Sequence, residues 1–93
     1  MANAEETACF IAAARERDKE MNKLYQQVLR VAQPQIPQRA WLRFRDASCN
    51  AEKDMYDGGS AQPMVYYACL EAETRYRIND LKDTYGWRIE KFR

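Results

Sequence analysis

Two clusters of helix-breaking residues cut this chain into three apolar-periodic segments. The first cluster is Pro34-Gln35-Ile36-Pro37 and the second is Asp57-Gly58-Gly59-Ser60. Proline has no N–H to donate inside a helix and restricts the residue before it. Glycine takes up the positive φ that closes a helix. Within the first segment, residues 6–32, Phe10, Ala14, Met21, Leu24, Val28 and Val31 recur at helical spacing. The second, residues 37–56, places Ala40, Trp41, Phe44, Ala47, Ala51 and Met55 inward, and the third, residues 61–85, does the same with Tyr66, Tyr67, Leu70, Thr74, Ile78, Leu81 and Tyr85. Pro37 and Pro63 fit first helical turns, where the missing donor costs nothing. Ser60 reads as the N-cap of the third helix. Gly86 is expected to end it, leaving residues 86–93 as a tail. No strand pattern competes, and short connectors favour antiparallel neighbours. The expectation is a single all-α domain over residues 1–93, a three-helix antiparallel (up-down-up) bundle.

With 15 Lys plus Arg against 14 Asp plus Glu, the net charge of +1 supplies no field to steer nucleic acid. Arg39, Arg43 and Arg45 interleave with Trp41 and Phe44, but acidic neighbours argue against a phosphate-tracking stripe. The run Cys9–Ala14 is the longest apolar stretch and falls far short of the roughly 20 residues of a membrane span. Catalysis draws no support: the chain has no histidine, and no serine or cysteine has a recognisable activating partner. No cofactor is implied.

The absence of histidine also bears on the three cysteines, Cys9, Cys49 and Cys69. Three thiols fall short of a four-cysteine zinc site, so a disulfide is the preferred reading. It points to an oxidising compartment, periplasmic or secreted. Cys49 with Cys69 is the leading pair, closing a loop of about 21 residues through the double-glycine turn. Cys9 paired with either of the others, and free buried thiols, stay open as alternatives. The first residues lack a hydrophobic leader, and Ala2-Asn3-Ala4 has the small-x-small form of a signal cleavage site. A mature exported chain placed behind Met1 accounts for both.

Three blocks of residues carry a family likeness. Asp18-Lys19-Glu20-Met21-Asn22-Lys23-Leu24-Tyr25 is similar to a D-x-x-L-N-x-x-Y motif, with methionine in place of leucine. Gln38-Arg39-Ala40-Trp41 through Arg45-Asp46-Ala47-Ser48-Cys49 is similar to Q-x-x-W-x-x-x-R-D-x-x-C. Cys69, Thr74, Arg77 and Leu81 match C-x-x-x-x-T-x-x-R-x-x-x-L. In this order they resemble the DUF1311, or lysozyme inhibitor LprI-like, domain of small exported bacterial proteins. The resemblance implies a helical, non-enzymatic domain that works by binding protein, with a muramidase as the candidate partner. A structural or assembly module of the envelope, or an immunity-type protein against a specific toxin, is the rival. A near-neutral chain offers little long-range attraction to a basic lysozyme.

Asp18, Asn22, Tyr25, Arg45, Asp46, Thr74 and Arg77 are read as a structural polar network between the helices, joined by ion pairs such as Asp18 with Arg45 or Asp46 with Arg77. An exposed recognition patch is the competing reading. Trp41 and Phe44 are read as core anchors. Partner contact is expected instead from Ser60 and Lys53 beside the second break, from Tyr66, one of two adjacent tyrosines that cannot both be fully buried, and from Trp87. The oligomeric state is left open.

Overall fold

The computed structural model describes residues 3–34, 36–56 and 58–92. Three helices account for its regular structure: α1 (Ala4–Leu29), α2 (Gln38–Asp54) and α3 (Gln62–Lys91). There is no strand among the described residues. Residues Met1, Ala2, Gln35, Asp57 and Arg93 lie outside that description. With them lie the start of the small-x-small tripeptide, one residue of each break and the end of the expected tail.

Helix α3 is the spine. At 30 residues it extends about 45 Å, which sets the long axis of a 49 × 23 × 16 Å molecule. Both α1 and α2 pack along it and touch each other only slightly. Arg17 meets Glu71 and, further along, Arg88 meets Val31, so α1 and α3 run parallel. Cys49 meets Cys69 while Gln38 meets Arg77, so α2 runs antiparallel to α3. The topology is up-down-up.

Cys49 and Cys69 form the disulfide, with Cα atoms 5.5 Å apart, and Cys9 is a free, exposed thiol. The bond bridges α2 to α3 behind their connecting turn. Large apolar side chains gather toward the other end, where Met21, Leu24, Val28, Ile78 and Leu81 make the core. Each such side chain contributes about 1.5–3 kcal/mol on burial. Trp41, Leu42, Tyr85 and Ile89 pack around them. Among the described residues, the other buried apolar side chain near the disulfide is the small Ala14, so the covalent link stands where the apolar core is thin.

Element boundaries depart from the sequence reading for identifiable reasons. Helix α1 starts earlier than residue 6 because Asn3 caps it. The Asn3 side chain accepts from the Glu6 N–H at 2.8 Å and donates to the Glu6 carboxylate at 3.0 Å, a reciprocal cap. Ser60 does not cap α3. Ala61 holds that position with no side-chain hydrogen bond, and Ser60 is an exposed turn residue. Gly58, at φ 64°, supplies the left-handed step of the turn. Gly86 does not end α3, which continues five residues beyond it. A mid-helix glycine costs roughly 1 kcal/mol relative to alanine. Tyr85 and Ile89, on either side of Gly86, pack against the core and offset that cost. Helix α2 is rotated from the expected phase. Phe44 and Met55 are 60% and 78% exposed, with Ala47 and Ala51 also outward, while Arg45 and Cys49 face in.

Replacing both Cys49 and Cys69 by alanine should lower stability by about 3 kcal/mol through the freed 21-residue loop. Urea unfolding of wild type with and without reductant measures the same loss. Leu81→Ala should cost about 2–5 kcal/mol, and more than Phe44→Ala. An equal cost for the two would contradict the outward placement of Phe44.

Candidate functional site

The inward phase of α2 brings a charged residue into the interior. Arg45 is only 7% exposed, and its guanidinium reaches all three helices. Its Nη1 donates to Asp18 Oδ1 of α1 at 2.7 Å and to Thr74 Oγ1 of α3 at 3.2 Å. Its Nε donates to Asp46 Oδ1 on its own helix at 3.1 Å. Thr74 is fully buried, while the two carboxylates are about half exposed. The cation is thus desolvated and the anions remain partly wet. Of the two ion pairs expected, Asp18–Arg45 forms; Asp46 pairs with Arg45 instead of Arg77.

One turn toward the α1–α2 connector lies a second layer. Arg77 donates through Nε and Nη2 to Gln38 Oε1, at 3.3 and 3.2 Å, and through Nη2 to the Ile36 carbonyl at 3.2 Å. Trp41 sits between the two guanidinium groups, its ring centroid 5.5 Å from Arg45 Cζ and 5.6 Å from Arg77 Cζ. Such contacts are worth about 0.5–2 kcal/mol each. The Tyr25 hydroxyl accepts from the Gln38 N–H at 3.2 Å, meeting a first-turn donor of α2 that Pro37, at the cap, leaves without a side-chain acceptor. Asn22 faces solvent and takes no part in either layer.

The four expected contact residues do not share one surface. Lys53, Ser60 and Tyr66 stand at the turn between α2 and α3, next to exposed Met55 and Tyr56. The Lys53 ammonium lies 5.9 Å from the Tyr66 ring centroid and 3.8 Å from Asp54 Oδ1. Tyr66 and Tyr67 meet edge to face at 5.3 Å, and both are half-buried. Burial raises the Tyr66 phenol above its ordinary pKa, and the Asp46 charge adds to this against Arg45. Trp87, 61% exposed, lies 21 residues further along α3, about 31 Å from Tyr66.

Glu71, which the sequence places with Glu73 on a solvated helix face, is instead largely covered, its side chain 16% exposed and paired with Arg17 and Arg75. Burial pushes its carboxyl up, but hydrogen bonds from Arg75 and Arg17 together outweigh this, and the net pKa lies below the ordinary value. A carboxyl depressed in the folded state binds its proton more readily when unfolded, so its stabilising contribution is complete above the unfolded pKa, about 4.3. The contribution is lost as pH falls through the folded value. Glu71→Gln should therefore narrow the stability gap to wild type as pH drops from about 6 toward 3, followed by urea midpoints. Arg45→Ala should cost about 3 kcal/mol, since it strands the Thr74 hydroxyl and empties a buried volume. Asp18→Asn should cost under about 1 kcal/mol, because that carboxylate already meets water.

Among the described residues, no group of histidine, cysteine, aspartate and glutamate could hold a metal ion, and no helix is long and apolar enough to cross a membrane. An uncharacterized protein of Rhizobium meliloti is 41% identical over 46 residues, half of this chain. The aligned part spans a third of that relative's length. No solved structure matches the chain. The family model described as lysozyme inhibitor LprI matches residues 1–81, a stretch that takes in the Cys49–Cys69 disulfide, both guanidinium layers and the whole α2–α3 turn. With that span covered, the chain belongs to the lysozyme inhibitor LprI family.

Proposed function

We propose that this chain is an exported, protein-binding domain that inhibits a lysozyme-type muramidase by presenting the α2–α3 turn to the enzyme's glycan cleft. The observation that carries the proposal is the reach of the family match, which includes the disulfide-braced turn and stops before Trp87. The disulfide fits a periplasmic or secreted location, since such bonds persist in oxidising compartments.

A muramidase works with a pair of carboxylates flanking the scissile bond. An inhibitor that enters the cleft gains by offering donors to them in a desolvated setting. Lys53 and Ser60 are the donors available at this turn. Among the described residues, Lys53 is held by a long ion pair to an exposed Asp54 and by the Tyr66 ring, contacts worth under about 1 kcal/mol at a surface. Exchanging them for a buried carboxylate is favourable. Tyr66, Tyr56 and Met55 offer the apolar area around those donors. Cross-linking α2 to α3 behind the turn lowers the ordering cost of binding, because the turn is already fixed at its base. Trp87 stands too far along α3 to join the same footprint, so partner contact is assigned to the turn end.

The purified oxidised protein should slow cell-wall lysis by a sensitive muramidase at micromolar concentration. Lys53→Ala, Ser60→Ala and Tyr66→Ala should each weaken inhibition, the first by about tenfold or more. Trp87→Ala should leave it unchanged. Full potency in all three turn variants would discard this site. No inhibition of any muramidase tested would discard the activity and favour an envelope assembly or toxin-immunity role.

A further inference from the structure

At the opposite end from the turn, a cleft of about 470 Å³ opens between the α1–α2 connector and α3. Pro34 and Ile36 form one side of it, and Arg77, Asp80, Leu81 and Thr84 the other. Arg77 is 8% exposed, yet the oxygens it donates to, those of Gln38 and Ile36, are uncharged. Among the described residues it has no carboxylate within ion-pair distance, and its Nη1 donates to nothing. Beside it, the buried Gln38 Nε2 also lacks a partner. The cluster holds more donors than acceptors, and no carboxylate among the described residues pairs directly with its positive charge. Burial lowers the Arg77 pKa, opposed by Tyr25, Tyr85 and Asp80. Stacking on Trp41 does not replace a counter-ion. An acceptor-rich anion would, and a planar carboxylate matches a guanidinium edge.

Asp80 restricts which anion. It sits one turn along α3 from Arg77, exposed, and forms no ion pair among the described residues. Side chains three apart on a helix are about 5–6 Å from one another at Cβ. A carboxylate there repels a dianion such as phosphate and complements a ligand that bears a cation next to its own carboxylate. Pro34, Ile36 and Leu81 supply an apolar wall. We infer that this cleft binds a free α-amino acid with an apolar side chain. Arg77 takes the carboxylate, Asp80 the ammonium, and Pro34, Ile36 and Leu81 the side chain.

Titration of the isotope-labelled, oxidised protein with leucine, followed by amide chemical shifts, tests this directly. Saturable shifts confined to Ile36, Gln38 and residues 77–85 are expected, with a dissociation constant of about 1 mM or below. Leucinamide, which lacks the carboxylate, and 4-methylpentanoate, which lacks the ammonium, should bind at least about tenfold more weakly. Asp80→Asn, at an exposed position that does not threaten the fold, should weaken leucine by about fivefold or more and leave 4-methylpentanoate bound at least as tightly, because a repelling charge is removed. Thr84→Trp should fill the cleft and abolish the shifts. No saturation up to about 50 mM, shifts lying elsewhere, or 4-methylpentanoate binding as well as leucine would overturn the inference. None of these readouts depends on muramidase inhibition.

Discussion

The Arg45 guanidinium is the point at which the three helices are tied to one another. Helices α1 and α2 barely touch, and each is packed on α3, so an apolar core alone would leave their relative register loosely set. A buried cation that must satisfy Asp18 on α1, Thr74 on α3 and the Trp41 ring on its own helix tolerates only one arrangement. Burying the charge brings little net stability, because desolvation offsets most of the attraction. Its effect is to discriminate. Sliding α2 by a turn along α3 would strand the cation, the Thr74 hydroxyl and both cysteines at once.

The same interaction explains where sequence periodicity succeeded and where it misled. Apolar spacing and the Pro and Gly clusters locate all three helices, and the inward apolar positions of α1 and α3 follow from spacing, although the buried Arg77 of α3 does not. On α2 the apolar residues Phe44, Ala47, Ala51 and Met55 suggest one face, while Arg45 and Cys49 occupy the buried one. Hydrophobic spacing assigns a charged residue to solvent, so a phase set by a buried ion pair and a disulfide is invisible to it. Only the motif containing Trp41, Arg45, Asp46 and Cys49 carried that information. Gly86 is a similar case: local propensity marks an end, and the packing of Tyr85 and Ile89 overrides it. Contact residues were legible only as types. Sequence grouped Trp87 with Tyr66 because both are aromatic residues of a kind common at interfaces, and the length of α3 then separates them.

The two ends of the molecule are stabilised by different means, and the difference bears on what each can do. Around the α2–α3 turn the buried side chains are small and the restraint is covalent, so side chains there can be exposed without loosening the backbone beneath them. Met55, Tyr56 and Ser60 occupy that position. Around the α1–α2 connector the restraint is polar. Arg77 holds the Ile36 carbonyl and Gln38, Tyr25 holds the first turn of α2, and Arg88 holds the Val31 carbonyl.

Polar restraints of that kind depend on partners that a ligand can supplement or compete for, whereas a disulfide does not exchange under oxidising conditions. A solvent-facing turn braced from behind by a disulfide suits recognition of a fixed external surface, where the entropy of ordering a loop would otherwise oppose association. The connector end, with a desolvated guanidinium that has only neutral acceptors, suits a small ligand that completes its charge balance. Arg77 and Arg45 share the Trp41 ring, so an anion that draws on Arg77 also alters the electrostatics of the layer that fixes α2 against α3. From there the disulfide is a single turn away, since Arg45 and Cys49 are four residues apart on one helix. Charge at the cleft and geometry at the turn are therefore joined by a continuous path of contacts along α2.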